Sequence, residues 1–237
     1  VVQRSASVIN FSAGEVSFRM VLLESLNFPQ EDFYICETEV TNELWAAVTR
    51  GLPYDTVPSY TDNRAMELPD RPVSYVSWND VTRVFLPSLN QLIPAGFRLP
   101  TEGEWLFAAK GGKFSKNYNY AGSNAVDEVA WYAANSMGHK VVVKKLKSNE
   151  AGLYDMSGNV SEWSSDWSFP ASDQKKIIRG GNFTSTSGVL TDAITDCQVY
   201  AKSQTAPSCY EEITYGNGTK AIVYRCATIG FRFVVSA

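Results

Sequence analysis

The stretch GLYDMSGNVSEWSSDW, residues 152–167, holds the side chains best suited to bind a metal ion or a ligand. Asn159 and Glu162 offer side-chain oxygens three residues apart, and a turn between them would expose backbone carbonyls. Such donors suit calcium, which takes about six to eight oxygens in proteins. Without a metal, both side chains would hydrogen-bond the loop backbone. Because the stretch has neither helical nor strand periodicity, it is interpreted as a metal-binding loop, a buried seam, or both.

Soft ligands and nucleophiles are few in this chain. The four cysteines show no Cys-x-x-Cys or Cys/His spacing, which argues against zinc; they are Cys36, Cys197, Cys209 and Cys226. Cys197 as a nucleophile would need a neighbouring base that the sequence does not identify; the alternatives are a small buried side chain or half of a disulfide. The single histidine, His139, is expected to be an exposed loop residue. No Gly-x-Ser-x-Gly motif supports a Ser-His-Asp hydrolase.

One disulfide is possible near the end of the chain. Cys209 and Cys226 flank an insert-like segment, EEITYGNGTKAIV. A bridge between them would contribute about 3 kcal/mol in the chain-entropy model. Connectivity cannot be deduced from sequence, so this pairing stays one alternative among several.

The composition is that of a globular protein. The 237 residues are 44% hydrophobic and 13% aromatic, enough for a sizeable core. A net charge of −4 and an isoelectric point near 5.2 argue against nucleic acid as a partner. The densest basic run, KVVVKKLKS at 140–148, is interpreted as the solvated face of a strand. No apolar run approaches the ~20 residues of a membrane span, and the first residues do not resemble a signal peptide, so a mature or trimmed fragment is expected.

Many short strands and few helices are predicted to position these residues. Val16–Leu23 and residues 32–40 are strand candidates because they are rich in β-branched and aromatic residues. Shorter candidates lie in DEVAWYAAN, KKIIRGGNF, TKAIVYRC and IGFRFVVS. Long irregular connections join them. The pattern predicts an α+β fold dominated by loops.

Two helices are predicted before residue 95. VTNELWAAVTRG reads as a helix that ends at Gly51. In VSWNDVTRVFLPSLNQL, Ser77 and Asp80 mark a helix start. Pro87 lies inside the apolar repeat of that helix and is expected to kink it or end it early.

FRLPTEGEWLFAAKGG contains the clearest local signal. Thr101 and Glu104 are spaced as a capping box, in which each side chain accepts a backbone N–H of the other residue. Gly111 is predicted to stop the helix in the left-handed conformation. Glu104 could be assigned as a catalytic acid, but capping accounts for it.

Six sequence motifs follow one another along nearly the whole chain: FYICETEVTNELW, PVSYVSWNDV, FRLPTEGEWLFAAKGG, GLYDMSGNVSEWSSDW, IIRGGNF and IGFRFV. In this order they resemble the formylglycine-generating-enzyme (sulfatase-modifying factor) family, and its short bacterial members in particular. The resemblance implies a single domain, 1–237, with a loop-rich fold related to the C-type lectin fold. Such members are often secreted or lipid-anchored. An extracytoplasmic location is therefore implied, with any lipid anchor upstream of this chain.

The resemblance also implies a structural calcium site. Matching the family pattern gives Asn159 and Glu162 as side-chain ligands, with Val160 and Ser164 as carbonyl donors. A second family site would begin at Asn135 and its neighbour Ser136. No acid follows in SMGHKVVVKK where an aspartate is required, so we expect that second site to be lost.

Copper is not expected. Members of the family that oxidise a substrate cysteine hold copper with two cysteines, because copper(I) prefers thiolates. Aligned through AKSQTAP, those positions are Ile194 and Val199 here, with Cys197 alone between them. Iron-dependent relatives of the family depend on histidines, and this chain has one.

Structural roles in the core are expected for other residues of these six motifs. Trp163 and Trp167 are predicted to lie in the core. Asp166, Arg179 and Arg232 could form buried ion pairs across the seam of the loop-rich fold.

The favoured hypothesis is a non-catalytic, calcium-stabilised domain that binds a protein, peptide or glycan outside the cytoplasm. Residues 184–224 are the best candidate surface, since ordered loops can vary while a core is held. Tyr200, Tyr210 and Tyr215 lie there, and tyrosines make good contacts at low entropic cost. Two alternatives stay open. One is a formylglycine-generating-type oxidoreductase acting on protein cysteine through Cys197; the other is a structural envelope lipoprotein subunit.

Overall fold

The computed structural model describes residues 7–25, 31–50, 68–170, 174–186, 195–205, 210–214, 220–224 and 228–237. Within these ranges the helices are α1 (Asn42–Thr49), α2 (Trp78–Asp80), α3 (Leu86–Leu92) and α4 (Glu102–Ala109). The strands are β1 (Val8–Ala13), β2 (Val16–Leu23), β3 (Phe33–Cys36), β4 (Ala130–Trp131), β5 (Ser157–Gly158), β6 (Ser161–Trp167), β7 (Lys176–Arg179), β8 (Lys202–Thr205), β9 (Tyr210–Thr214), β10 (Lys220–Tyr224), β11 (Ile229–Gly230) and β12 (Val234–Ser236).

Two four-stranded sheets carry the fold. The first has the strand order β1-β2-β3-β12 and is antiparallel throughout. The second has the order β11-β6-β7-β8, in which β11 runs parallel to β6 and the other pairs are antiparallel. β4 pairs in parallel with β5, and β9 and β10 form an antiparallel pair. The predicted α+β class, with few helices and short, mainly antiparallel strands, is confirmed.

The helix starts follow the predicted caps. The Thr101 hydroxyl accepts the Glu104 N–H at 3.1 Å, and the Glu104 carboxylate accepts the Thr101 N–H at 2.8 Å. Ser77 and Asp80 form the same reciprocal box at α2. Gly111 has φ 89°, the left-handed conformation predicted for it. The predicted end of α1 at Gly51 lies outside the described residues. None of the described helices is long and apolar enough to cross a bilayer.

Pro87 does not end its helix early, because the turn before it is π-helical and not α-helical. A π-helical turn, Val81–Phe85, precedes it, and α3 continues from Leu86 to Leu92. Leu86 donates its N–H to the Val81 carbonyl, five residues back. Because proline has no N–H, the wider turn allows the helix to continue through a position that an α-helical ladder would leave unbonded.

The second sheet contributes to the apolar core through Trp163, which is fully buried as predicted. It belongs to a cluster that includes Phe85, Phe231 and Phe233. The prediction that Trp167 is also core is wrong, since this residue is 50% exposed. The register of β6 against β7 shifts between the two tryptophans, so the end of β6 leaves the core. There the Trp167 ring lies over the Lys176 ammonium, 3.7 Å from the ring centroid.

The basic run at 140–148 is not the predicted strand but irregular chain with a turn at 143–144. Lys144 has φ 63°, which interrupts an extended chain. Its ammonium pairs with Glu37 at 2.7 Å, and Lys147 pairs with Glu128 at 3.5 Å. These charges contact the protein itself.

Candidate functional site

Glu162, a predicted calcium ligand, is held in a buried ion pair. Arg232 donates to its two carboxylate oxygens through Nε and Nη2, with Nη2 to Oε1 at 2.7 Å. The Trp105 indole N–H donates to Oε2 at 2.7 Å. Arg232 and Trp105 come from the C-terminal segment and α4, and all three side chains are fully buried. The carboxylate therefore has protein donors on both oxygens.

Asn159 is bonded to two segments distant in sequence. Its Oδ1 accepts the Val141 N–H at 2.8 Å, and its Nδ2 donates to Glu39 at 2.7 Å. The other Glu39 oxygen accepts the Val160 N–H at 2.9 Å. Burial, followed by the charges of Asp155 and Glu162, raises the pKa of Glu39 well above its ordinary value. Glu39 was not found from the sequence, because it lies 120 residues before Asn159 with no local motif joining them.

Ser164, the other predicted carbonyl donor beside Val160, also has protein partners. Its carbonyl accepts the Trp78 indole N–H at 3.0 Å, and its hydroxyl donates to the Ile177 carbonyl at 3.1 Å. In this arrangement the residues do not fit calcium, since a cation would have to displace Arg232 from Glu162. Among the described residues, no group of three or more His, Cys, Asp or Glu side chains could hold a metal. Calcium at the four positions stays a prediction.

At the second family position, Asn135 and Ser136 organise a turn. Asn135 accepts the Tyr132 N–H at 2.8 Å and donates to the Ala130 carbonyl at 2.9 Å. Ser136 donates to the Phe183 carbonyl at 2.8 Å. Asn135 is thus accounted for by its own turn, and Ser136 by a bond to a distant segment of the chain.

The three charged residues expected to pair across the seam each bond a distant segment. Arg232 pairs with Glu162, and Arg179 pairs with Glu102. The Asp166 carboxylate accepts the Glu102 N–H at 2.6 Å, which satisfies a free donor in the first turn of α4. Arg179 and Arg232 thus form ion pairs between distant segments, as expected, whereas Asp166 accepts a backbone N–H of α4 instead of forming an ion pair.

A cleft of about 370 Å³ lies at the second sheet, beside part of the predicted binding surface. Six of its lining side chains are uncharged and polar: Ser161, Asn182, Ser185, Ser203, Thr205 and Thr228. Asn182 is fixed by a bond of 3.0 Å from its Nδ2 to the Ser161 hydroxyl. Arg179, Asp196 and Lys202 also line the cleft. Its walls therefore offer many hydrogen-bond donors and acceptors, which suit a ligand that carries many polar groups along its length.

Tyr200 precedes Ala201, which lines this cleft. It is 62% exposed, and its ring lies under the Lys110 ammonium at 4.4 Å from the centroid. Its carbonyl accepts from Arg179 at 3.1 Å. The side chain is thereby held at the surface. The side chain of Tyr210 and all of Tyr215 lie outside the described residues.

Cys197 is closed off beneath the cleft. It is fully buried, and burial raises the pKa of its thiol to about 12. A Cβ on Gly181, which has φ 68°, would meet the Cys197 Sγ at 2.8 Å, so glycine is needed for this packing. Val199 is also buried, whereas Ile194, Cys209 and Cys226 lie outside the described residues. A buried, protonated thiol does not support the alternative in which Cys197 is the reactive group. His139 is exposed in a turn, as expected.

Comparison with known proteins bears on the family. Residues 3–237 match the Sulfatase-modifying factor enzyme 1-like domain. Chaperone protein LppX of Paenibacillus barcinonensis is 32% identical over 209 residues, which cover 68% of this chain and 72% of that protein. Inactive C-alpha-formylglycine-generating enzyme 2 of Mus musculus is 29% identical over 175 residues, which cover 68% of this chain and 54% of that protein. The chain thus spans about half the length of the mouse protein.

Solved structures show the same fold. Treponema denticola variable protein 1 superposes with a TM-score of 0.71 at 25% identity, covering 98% of this chain and 100% of that chain. PvdO from Pseudomonas aeruginosa superposes with a TM-score of 0.72 at 18% identity, covering 99% and 100%. The fold, the order of the six sequence motifs and the match of residues 3–237 to the domain agree. The chain belongs to the formylglycine-generating-enzyme (sulfatase-modifying factor) family.

Proposed function

We propose that this chain is a non-catalytic, formylglycine-generating-enzyme-like recognition domain that binds a polypeptide ligand in the cleft of the second sheet, outside the cytoplasm. The observation that carries the proposal is the pairing of an open, polar cleft with a closed thiol beneath it. A catalytic cysteine has to be ionised and reachable. Cys197 has neither property.

The cleft chemistry supports polypeptide recognition. Hydroxyl and amide groups can bond the N–H and C=O groups of a bound chain without a large desolvation cost. Tyr200, the residue before the lining residue Ala201, is 62% exposed and offers an aromatic side chain for a contact outside the cleft. Relatives named as an inactive enzyme and as a chaperone protein support a binding role over a chemical one. A glycan ligand, which the same polar groups could bind, is the second outcome that the test below separates.

Two further features belong to this proposal. The family match over residues 3–237 supports a single domain.

Calcium bound by Asn159, Val160, Glu162 and Ser164 would need a rearrangement of the Glu162–Arg232 pair. Metal analysis after equilibration with calcium and gel filtration tests it; retention of one ion per chain would support calcium, and no retained ion would end that hypothesis.

The function is tested by panning the domain against a display library of random dodecapeptides and by screening it on a glycan array. Thr228→Trp would fill the cleft from the β11 side, and Ser12→Trp, on exposed β1, is the matched control. Binding that Thr228→Trp removes and Ser12→Trp leaves intact is expected for peptides. If no peptide is selected, or if both variants bind equally, polypeptide recognition in the cleft is wrong. Copper-dependent oxidation of a cysteine peptide by the native protein would contradict a non-catalytic role.

A further inference from the structure

We propose that the free edge of β8, Lys202–Thr205, receives an extended segment of the partner protein as an additional β-strand. This inference rests on the proposed function, and it specifies how the ligand is bound and what its side chains are like. In such β-augmentation, main-chain hydrogen bonds supply affinity and pockets for alternate side chains supply specificity.

β8 is an edge strand of the second sheet. Among the strands that the structure describes, it pairs with β7 alone, and Lys202 and Ser203 are exposed. An edge strand leaves the N–H and C=O groups of alternate residues directed away from the sheet. A lysine on such an edge opposes pairing with a second copy, because two like charges would meet. Within the described residues this edge is thus unpaired, and it carries a charge that disfavours self-association.

Cavities lie on both faces of the sheet at this edge. Ile177 and Ile178 are neighbours in β7, so their side chains mark opposite faces. The 370 Å³ cleft is lined by Ile178, and a second cavity of about 340 Å³ is lined by Ile177. Lys202 and Ser203 of β8 line both cavities. A strand added beside β8 would place its successive side chains in the two cavities alternately.

The two cavities differ in chemistry. The cleft on the Ile178 face is rich in hydroxyl groups, whereas the cavity on the Ile177 face includes the Phe169 ring, which is 97% exposed. The Lys202 ammonium pairs with Glu102 at 3.2 Å, but that carboxylate also pairs with Arg179 and the Lys202 side chain is 58% exposed, so an acidic group of a ligand can still reach the ammonium at the edge. These features fit a ligand segment that alternates polar and apolar residues, with an acidic residue next to Lys202.

The test uses a synthetic dodecapeptide selected in the panning experiment and a backbone N-methyl scan along it. In an added strand, alternate N–H groups bond β8 and the others face away. N-methylation at every second residue of a central stretch is therefore expected to weaken binding about tenfold or more, as loss of a hydrogen bond would, while intervening positions change little. A scan with no alternation would overturn the proposal.

Two variants test the surface itself. Phe169→Ala is expected to weaken peptide binding by about tenfold. Phe114→Ala, at a residue 60% exposed outside the cavity lining, is the matched control and is expected to bind normally. Equal binding by both variants would overturn the edge proposal, as would self-association in sedimentation that Phe169→Ala abolishes. A peptide that Thr228→Trp blocks but whose N-methyl scan lacks alternation would leave the proposed function standing and remove this inference alone.

Discussion

Replacing Arg232 with methionine would leave the Glu162 carboxylate buried without its cation. The guanidinium donates to both Glu162 oxygens and also to the carbonyls of Cys36, Glu37 and Tyr154, at 3.3, 3.4 and 2.9 Å. Breaking a buried pair by removing one partner costs about 3–5 kcal/mol. The Tyr154 bond, with the best geometry of the three, adds about 1 kcal/mol. We expect a loss of about 4–6 kcal/mol in the free energy of unfolding, a large part of the ~5–15 kcal/mol that holds a typical domain.

Urea denaturation of Arg232→Met, Glu162→Gln and the double variant measures this loss. The double variant buries no unpaired charge, so it is expected to be about 2 kcal/mol more stable than Arg232→Met. Arg232→Lys keeps a charge but loses the fork that contacts two oxygens at once, and it provides an intermediate case should the methionine variant not fold. An Arg232→Met protein within about 1 kcal/mol of the native one, or a double variant no more stable than the single, would refute the account of this pair.

Three other predictions follow from the described residues. Cys197 is expected not to react with a thiol reagent at neutral pH until the protein unfolds, because its thiol is buried and the pKa of that thiol is raised to about 12. Mass spectrometry locates the labelled cysteine, and rapid labelling of Cys197 in the native protein would contradict this expectation. Thr101→Ala is expected to lower the free energy of unfolding by about 1 kcal/mol, because it removes the N-cap hydroxyl of α4 and leaves the Arg98–Glu104 ion pair in place. The exposed Glu15→Ala serves as control, and equal stability of the two variants in urea would argue against the cap. Burial raises the pKa of Asp155 from 3.8 to about 6, so the folded state binds its proton more tightly than the unfolded state does, and this group's contribution to stability is present at low pH and lost as pH rises through about 6. Asp155→Asn should flatten that part of the pH–stability curve measured by urea titration, and an unchanged slope would assign it to other groups.

Local features could be predicted from the sequence because their causes lie within a few residues. The Thr101–Glu104 and Ser77–Asp80 boxes depend on bonds across three positions, and the strand Val16–Leu23 depends on its own side chains. The exposure of His139 likewise follows from a polar turn. Pro87 shows the limit of this reasoning: proline inside a helix was expected to end or kink it, but a π-helical turn just before it lets the helix continue.

Partnerships between distant segments were decided by the tertiary structure. The sequence by itself determined the family, the α+β class, the main caps and the burial of Trp163. It did not determine that Glu162 would meet Arg232, 70 residues away, or that Asn159 would meet Glu39. It also did not place the polar cleft above Cys197, or two cavities beside β8, which is an edge strand among the described residues. A side chain offers the same donors and acceptors in any fold, and packing alone selects which of them face each other, which are shut away from water and which stay open to a partner.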